Sequence, residues 1–272
     1  MTKTRFYSHA FRIFLLLIFV AIAIHFRNLV KGNLLALFDL CLYGQTNALI
    51  PPPVEAKLVA HAGGAVQGIT YTNSREALDL HYAKGYRVFE LDFHWTTDNR
   101  LVIVHDWNLA SSQFGTKPHV SSYDEFVKGR RRDGLHQLSF DDLHEWLRNH
   151  PDALVVTDTK DSNLRLLEYL RQNSGDILPH LIIQIYRLSE LSAARQLGPR
   201  AVWLTVYKSR YPAWALSRIA NVDAFVIPVA EYAKYNQPGL LAKAHFYVHS
   251  VPADKIEETF SRLPGIYGMY VD

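Results

Sequence analysis

From Leu58 onward, short apolar runs alternate with stretches whose apolar residues recur at three- and four-residue intervals. The first pattern suits buried β-strands and the second suits helices with one apolar face. Nine runs are strand-like: Leu58 to His61, Val88 to Phe93, Leu101 to His105, Leu154 to Asp158, Leu181 to Tyr186, Ala201 to Tyr207, Ala224 to Val229, Phe246 to Val251 and Ile266 to Val271. Helical patterns lie between most of them, at Ser74 to Ala83, Phe140 to Arg148, Leu164 to Arg171, Leu188 to Leu197 and Asp254 to Leu263. Repeated strand–helix alternation predicts a mostly parallel sheet, either an open doubly wound sheet or a (β/α)8 TIM barrel. No Gly-rich nucleotide loop follows the first strand, so the α/β expectation settles on the barrel. Nine segments exceed the eight a barrel needs, so one of them lies outside it. Between Trp107 and Leu138 the alternation stops, and a long polar loop is expected there. Arg130, Arg131 and Arg132 lie in that loop, either as an anionic head-group site or as solvated charge.

The N-terminal pattern is different. Basic residues precede the apolar run Ile13 to Ile24, and Arg27 follows it, in the order of a signal anchor or a signal peptide. Residues 1–27 are therefore expected to form a hydrophobic anchor helix with a single membrane pass, or to be removed after Ala23. A buried helix of a soluble domain is the weaker alternative, because the run has basic flanks and no acid. A second apolar segment, Leu34 to Leu42, suits a helix lying on the membrane or against the domain, and residues 28–53 end in a proline-rich linker. The folded domain is expected over residues 54–272. A basic N-terminus predicts a cytoplasmic start and an exported barrel, periplasmic or extracellular.

Composition narrows the options. The 272 residues are 49% hydrophobic and 20% charged, which disfavours disordered and fibrous classes. The net charge of +3 is owed to Lys3, Arg5, Arg12 and Arg27, since no Asp or Glu precedes Asp39. Without those four the body is slightly acidic, and a nucleic-acid partner is not expected. No protein partner is predicted either. The lone Cys41 excludes an internal disulfide and a Cys-based zinc site.

In a barrel the polar residues at the C-terminal ends of apolar strands carry the chemistry, because the core below tolerates no unpaired charge. His61 ends the first strand-like run, the second carries Glu90 and Asp92, the third leads to His105 and Asp106, and the fourth ends in Asp158 with Lys160 close behind. Glu90 and Asp92 are two residues apart on a strand, so both point to one side. Converging carboxylates repel unless a proton or cation lies between them. Three oxygen donors on strand ends suit Mg²⁺ or Ca²⁺ better than zinc. His61 and His105 then suit acid/base work, since an imidazole titrates near pH ~6.5.

His61-Ala62-Gly63-Gly64, Asn73-Ser74, Glu90-Leu91-Asp92 with Thr96, Asp98 and Asn99, and His105-Asp106 together resemble the signature of the glycerophosphodiester phosphodiesterases. The similarity continues through Asp158-Thr159-Lys160, Gln184 and the closing Gly265 to Asp272, and covers residues 57–272. The resemblance implies a (β/α)8 barrel that hydrolyses glycerophosphodiesters to glycerol 3-phosphate and an alcohol with one divalent cation, Ca²⁺ or Mg²⁺. It implies His61 and His105 as the catalytic pair and Glu90, Asp92 and Asp158 as metal ligands. Lys160, Gln184, His249 and Asn73 would meet the substrate, a small glycerophosphodiester or a phospholipid. It also implies attack by the substrate's own glycerol hydroxyl, through a cyclic phosphate.

Four departures stand out. Ala62 and Thr72 occupy positions where the family usually has Arg and Glu, which removes one ion pair as a unit. Asp158 replaces a longer Glu, and His249 replaces Trp, as a third catalytic histidine or, by preference, as a pocket wall. The usual final helix is not present after the last strand, and residues 34–42 are expected to cover its place. Two other functions stay open: phospholipase D or sphingomyelinase D-like cleavage of an intact lipid, and a catalytically weak head-group-binding barrel.

Overall fold

The computed structural model describes residues 30–43 and 54–272 except 238, together with positions 18, 22, 26 and 27. Ten strands make one sheet. They are β1 (Leu58–Ala60), β2 (Val88–Trp95), β3 (Leu101–Ile103), β4 (Leu138–Ser139), β5 (Leu154–Thr159), β6 (Leu181–Ile185), β7 (Ala201–Thr205), β8 (Ala224–Pro228), β9 (His245–Val251) and β10 (Gly268–Val271). Eight run parallel in the order β1-β10-β9-β8-β7-β6-β5-β2, and the pairing of Ala60 with Phe89 closes the ring. The barrel expectation therefore holds.

Alternation within each strand sorts its side chains between two cores. Val59, Val88, Val156, Ile182, Trp203, Val226, Tyr247 and Tyr270 fill the barrel's interior. Phe89, Leu91, Val155, Ile183, Leu204, Phe225, Val248 and Met269 face outward beneath the helices. Both faces are buried, which is why these strands read as continuous apolar runs. Helices begin where polar caps permit. Ser74 accepts from the Ala77 amide to start α2 (Arg75–Ala83), and Ser139 with Asp142 forms a full capping box for the helix Phe140–Asn149.

The surplus strand is β3. It pairs antiparallel with β2, Phe93 opposite Ile103 and Trp95 opposite Leu101, and β4 continues the sheet outward from it. The strand β2 thus overshoots the barrel rim and its partner returns. The expected polar loop after Trp107 is in fact largely helical, with α3 (Trp107–Phe114) and a further helix Tyr123–Lys128. Their Ala110 and Phe126 pack on Val102 and Val104 of the returning chain. Arg131 is buried and ties this region down, donating to the Thr72 carbonyl and to both carboxylate oxygens of Asp133. Its guanidinium is consumed by the fold, which removes it from any head-group site.

A helix over residues 30–43, α1, lies against the barrel's flank. Trp214 donates to the Asn33 side chain, Tyr211 donates to the buried Asp39 carboxylate, and Gly32 rests on the Arg210 carbonyl. The segment following β7 holds only two four-residue helices, Val206–Ser209 and Ala213–Leu216. The contacts of α1 are thus to the segments after β6 and β7, away from β10, where it was expected to take the place of the family's final helix. The physical reason is the buried Asp39, whose Tyr211 partner exists only there. Among the described residues no helix is long and apolar enough to cross a membrane. The signal or anchor expected over residues 1–27 lies outside the described residues apart from four positions.

Candidate active site

Three carboxylates meet at the C-terminal rim. Asp92 of β2 and Asp158 of β5 are direct partners in the parallel register, and Glu90 lies one inward step below Asp92. Oxygens of Glu90, Asp92 and Asp158 lie within 4.8 Å of one another, and all three residues are buried. Each is gripped by a neutral donor. The Ala62 amide donates to Glu90 at 2.9 Å, Asn73 Nδ2 donates to Asp92 at 2.9 Å, and Gln184 Nε2 donates to Asp158 at 2.8 Å. The Tyr186 hydroxyl also donates to Asp158. Neutral donors fix the carboxylates without cancelling their charge. Burial, followed by the repulsion of Asp92 and Asp158, pushes the Glu90 carboxyl well above the usual range, against the pull of His61. A cluster of this kind needs a proton or a cation, and an all-oxygen donor set fits a hard divalent cation.

The backbone is shaped for this grip. Ala62 adopts φ 49°, in the left-handed region that few side chains favour, and that turn aims its amide at Glu90. Gly64 follows at φ 98°, and a Cβ there would come within 2.5 Å of the His81 ring. Small residues at 62–64 thus suit the bend.

Two histidines flank the trio. Nδ1 of His61 donates to Asp272 at 2.5 Å, the opposite oxygen of Asp272 accepts from Ser250, and Nε2 of His61 lies 3.8 Å from Glu90. Burial alone would lower the imidazole's pKa. The Asp272 hydrogen bond and the charges of Glu90, Asp272 and Asp92 outweigh it and raise His61 to about 9. His105 is more open. Its Nδ1 lies 2.8 Å from Asp106, whose other oxygen caps α3 at the Leu109 amide. Because β3 runs antiparallel, the chain descends again to the level of Asp92, where the Val104 amide meets the Asp92 carbonyl. His105 therefore reaches the site from a hairpin's return and not from a barrel strand. The Tyr71 ring packs edge-on against both imidazoles, with centroids 5.0 Å from His61 and 4.6 Å from His105.

The remaining residues singled out in the sequence fall into two groups. Lys160 stands at the mouth, Nζ donating to the His105 carbonyl at 2.9 Å and lying 3.7 Å from Asp92. His249 forms wall, its ring 5.2 Å from that of His61 and 6.0 Å from that of Tyr207. Burial, followed by the nearby His61, lowers its pKa. Asn73 and Gln184 both turn their amides onto carboxylates, where they position candidate metal ligands. Asn73 grips Asp92 twice, since its oxygen also accepts the Asp92 amide.

Sequence reasoning missed Asp272, Ser250, Tyr71, Tyr186 and His94. His94 continues the inward series of Glu90 and Asp92, bonding the His105 carbonyl at 3.1 Å and lying 3.3 Å from Asp161. The two-residue period was the available signal for His94, and the strand-end rule was the signal for Asp272.

A (β/α)8 barrel with three buried carboxylates and two histidines at its rim is the class defined by this fold and geometry. No family model matches the chain, and no curated protein matches its sequence. Solved structures do match. A glycerophosphodiester phosphodiesterase from Parabacteroides distasonis is 16% identical, with a TM-score of 0.60 over 81% of this chain and 94% of that one. The glycerophosphodiester phosphodiesterase of Thermotoga maritima is 16% identical, with a TM-score of 0.59 over 84% and 96%. An Oleispira antarctica phosphodiesterase, solved with the product sn-glycerol-3-phosphate, is 14% identical, with a TM-score of 0.58 over 79% and 92%. The chain has the fold of these glycerophosphodiester phosphodiesterases.

Proposed function

We propose that the protein is a divalent-cation-dependent phosphodiesterase that hydrolyses glycerophosphodiesters to glycerol 3-phosphate and an alcohol. The carrying observation is the convergence of Glu90, Asp92 and Asp158 beside His61 and His105 at one rim. The similarity to phosphodiesterase structures supports the same reading.

Glu90, Asp92 and Asp158 would hold the cation, Ca²⁺ or Mg²⁺, which when bound polarises a phosphoryl oxygen and offsets its negative charge. Lys160 adds a second positive group at the mouth. His61, kept protonated by Asp272, donates a proton to the leaving oxygen. His105, oriented through Nδ1 by Asp106, takes the proton of the attacking glycerol hydroxyl as the alcohol leaves. A water that gives its proton to His61 then opens the cyclic phosphate, and His105 returns its proton to the glycerol oxygen. The Tyr71 ring spaces the two imidazoles across the reacting phosphate. The N-terminal 27 residues are proposed to bring the barrel to the exported side of a membrane, as an anchor or as a signal cleaved after Ala23.

The test uses the full chain, stripped with a chelator and assayed for glycerol 3-phosphate release from glycerophosphocholine and glycerophosphoethanolamine. Added Ca²⁺ or Mg²⁺ restores release, and His105→Ala lowers kcat by about 10² to 10⁴-fold. Absence of release under every cation, with the fold intact, would overturn the proposal.

A further inference from the structure

The helix α1 buries Ala36, with Leu35 and Leu40 beside it, against the barrel's outer core, and is also apolar on its outer side. Inward it presents Asn33 and Asp39 to Trp214 and Tyr211. Those two bonds fix its rotation about its own axis. Outward it exposes Val30, Leu34, Leu37, Phe38 and Leu42, with Leu34 at 60% and Phe38 at 62%. Their spacing of three, four and seven residues is one stripe of a helix. Ile18, Ile22 and Phe26 extend the stripe in four-residue steps and are likewise helical and exposed. Contiguous apolar surface of this extent marks a docking face, since apolar residues scattered singly are ordinary on a protein surface but an aligned row is not.

Charge indicates what docks. Lys3, Arg5, Arg12, Arg27 and Lys31 precede the first acid of the chain, Asp39, which is buried and faces inward. An apolar stripe accompanied only by positive charge is complementary to an anionic bilayer surface. The placement of α1 agrees. Gly32 lies by Arg210, which follows β7, and Leu42 and Tyr43 border Leu188 and Leu191, which follow β6, as well as Gln196 and Asn221. Both ends of the helix therefore touch segments that leave the rim carrying the carboxylates.

We propose that the outer stripe of α1 lies in the headgroup–acyl boundary of an anionic lipid bilayer, bringing the rim of the barrel to the membrane surface. A surface-lying helix suits the described residues, none of which form a helix able to cross a bilayer. Such docking is independent of the hydrolytic chemistry and more specific than attachment through residues 1–27.

The chain supplies its own reporter. Cys41 is the single cysteine and is exposed on α1, next to Leu42. Full-length protein labelled there with a polarity-sensitive dye is mixed with vesicles of phosphatidylcholine, with or without phosphatidylglycerol. Vesicles containing phosphatidylglycerol should brighten the dye and shift its emission to the blue, and lipids with brominated acyl chains should quench it. Added salt should weaken the response. The triple variant Leu34→Ser, Leu37→Ser, Phe38→Ser should lose the shift while keeping its thermal transition and its hydrolysis of a soluble diester. An unshifted dye on vesicle-bound protein would overturn the proposal, because the N-terminus would then bind without α1. A dye already blue-shifted in the absence of lipid would also overturn it, with dimeric sedimentation assigning the stripe to a second copy and monomeric sedimentation to the chain itself.

Discussion

Asn73 and Gln184 show how much rests on residues that hold other side chains in place. Asn73 grips both the carboxylate and the amide of Asp92. Asn73→Ala should weaken divalent-cation binding by about 10- to 100-fold, the usual cost of losing a group that orients a ligand. Calorimetric titration with Ca²⁺ and Mg²⁺ checks this, and unchanged affinity would show that the strand alone fixes Asp92. A second case is Asp133. Burial works against its ionisation, but hydrogen bonds from Arg131 outweigh that and hold its carboxyl below the usual range. A depressed folded pKa stabilises the protein above the unfolded value, near pH ~3.9, and that stability is lost as pH falls through the folded value. Asp133→Asn should therefore melt earlier than the parent at pH 7, and the gap should close as melts are taken progressively below pH ~4. The polar residues of the site were legible because charge on an apolar strand is too costly to keep unless it is paired or put to use. Orientation was not, since a sequence shows that an amide is near a strand end but not which neighbour it faces.

The elements were legible to different degrees. Eight of the nine strand segments form the barrel, and the helices at Arg75–Ala83 and Phe140–Asn149 fall where the periodicity put them. The ninth segment could not be told apart, because β3 is buried by Phe126 and its neighbours as thoroughly as a barrel strand is buried by its helices. Its antiparallel direction depends on pairing with β2, and no local pattern encodes that. The place of α1 was equally hidden, since Asp39 meets a partner 172 residues away in the chain. Tyr211→Phe would leave that carboxylate without its hydroxyl donor and should cost about 1–3 kcal/mol. Urea denaturation at neutral pH measures this, and a change near zero would mean that α1 is held by apolar packing alone.

At the scale of the whole molecule, the trio of carboxylates is a liability until something offsets its charge. Mutual repulsion among Glu90, Asp92 and Asp158 opposes the folded barrel, and a cation bound only by the folded state reverses that. At a free concentration about 100 times its Kd, Ca²⁺ or Mg²⁺ should add ~2.7 kcal/mol and raise Tm by several degrees, and chelator should reverse the rise. Melts indifferent to every divalent cation would remove the metal assignment.

The ring closes by joining its first strand to its last, and the seam runs through the chemistry: His61 follows β1, while Asp272 follows β10. The three carboxylates all lie on the chain by residue 158, with the Gln184 and Tyr186 donors to Asp158 soon after. Without β10 beside β1, His61 keeps the charges of Glu90 and Asp92 but lacks the Asp272 hydrogen bond that does most to raise its pKa. The proposed proton donor is therefore completed only after the proposed metal ligands, by the pairing of β1 with β10.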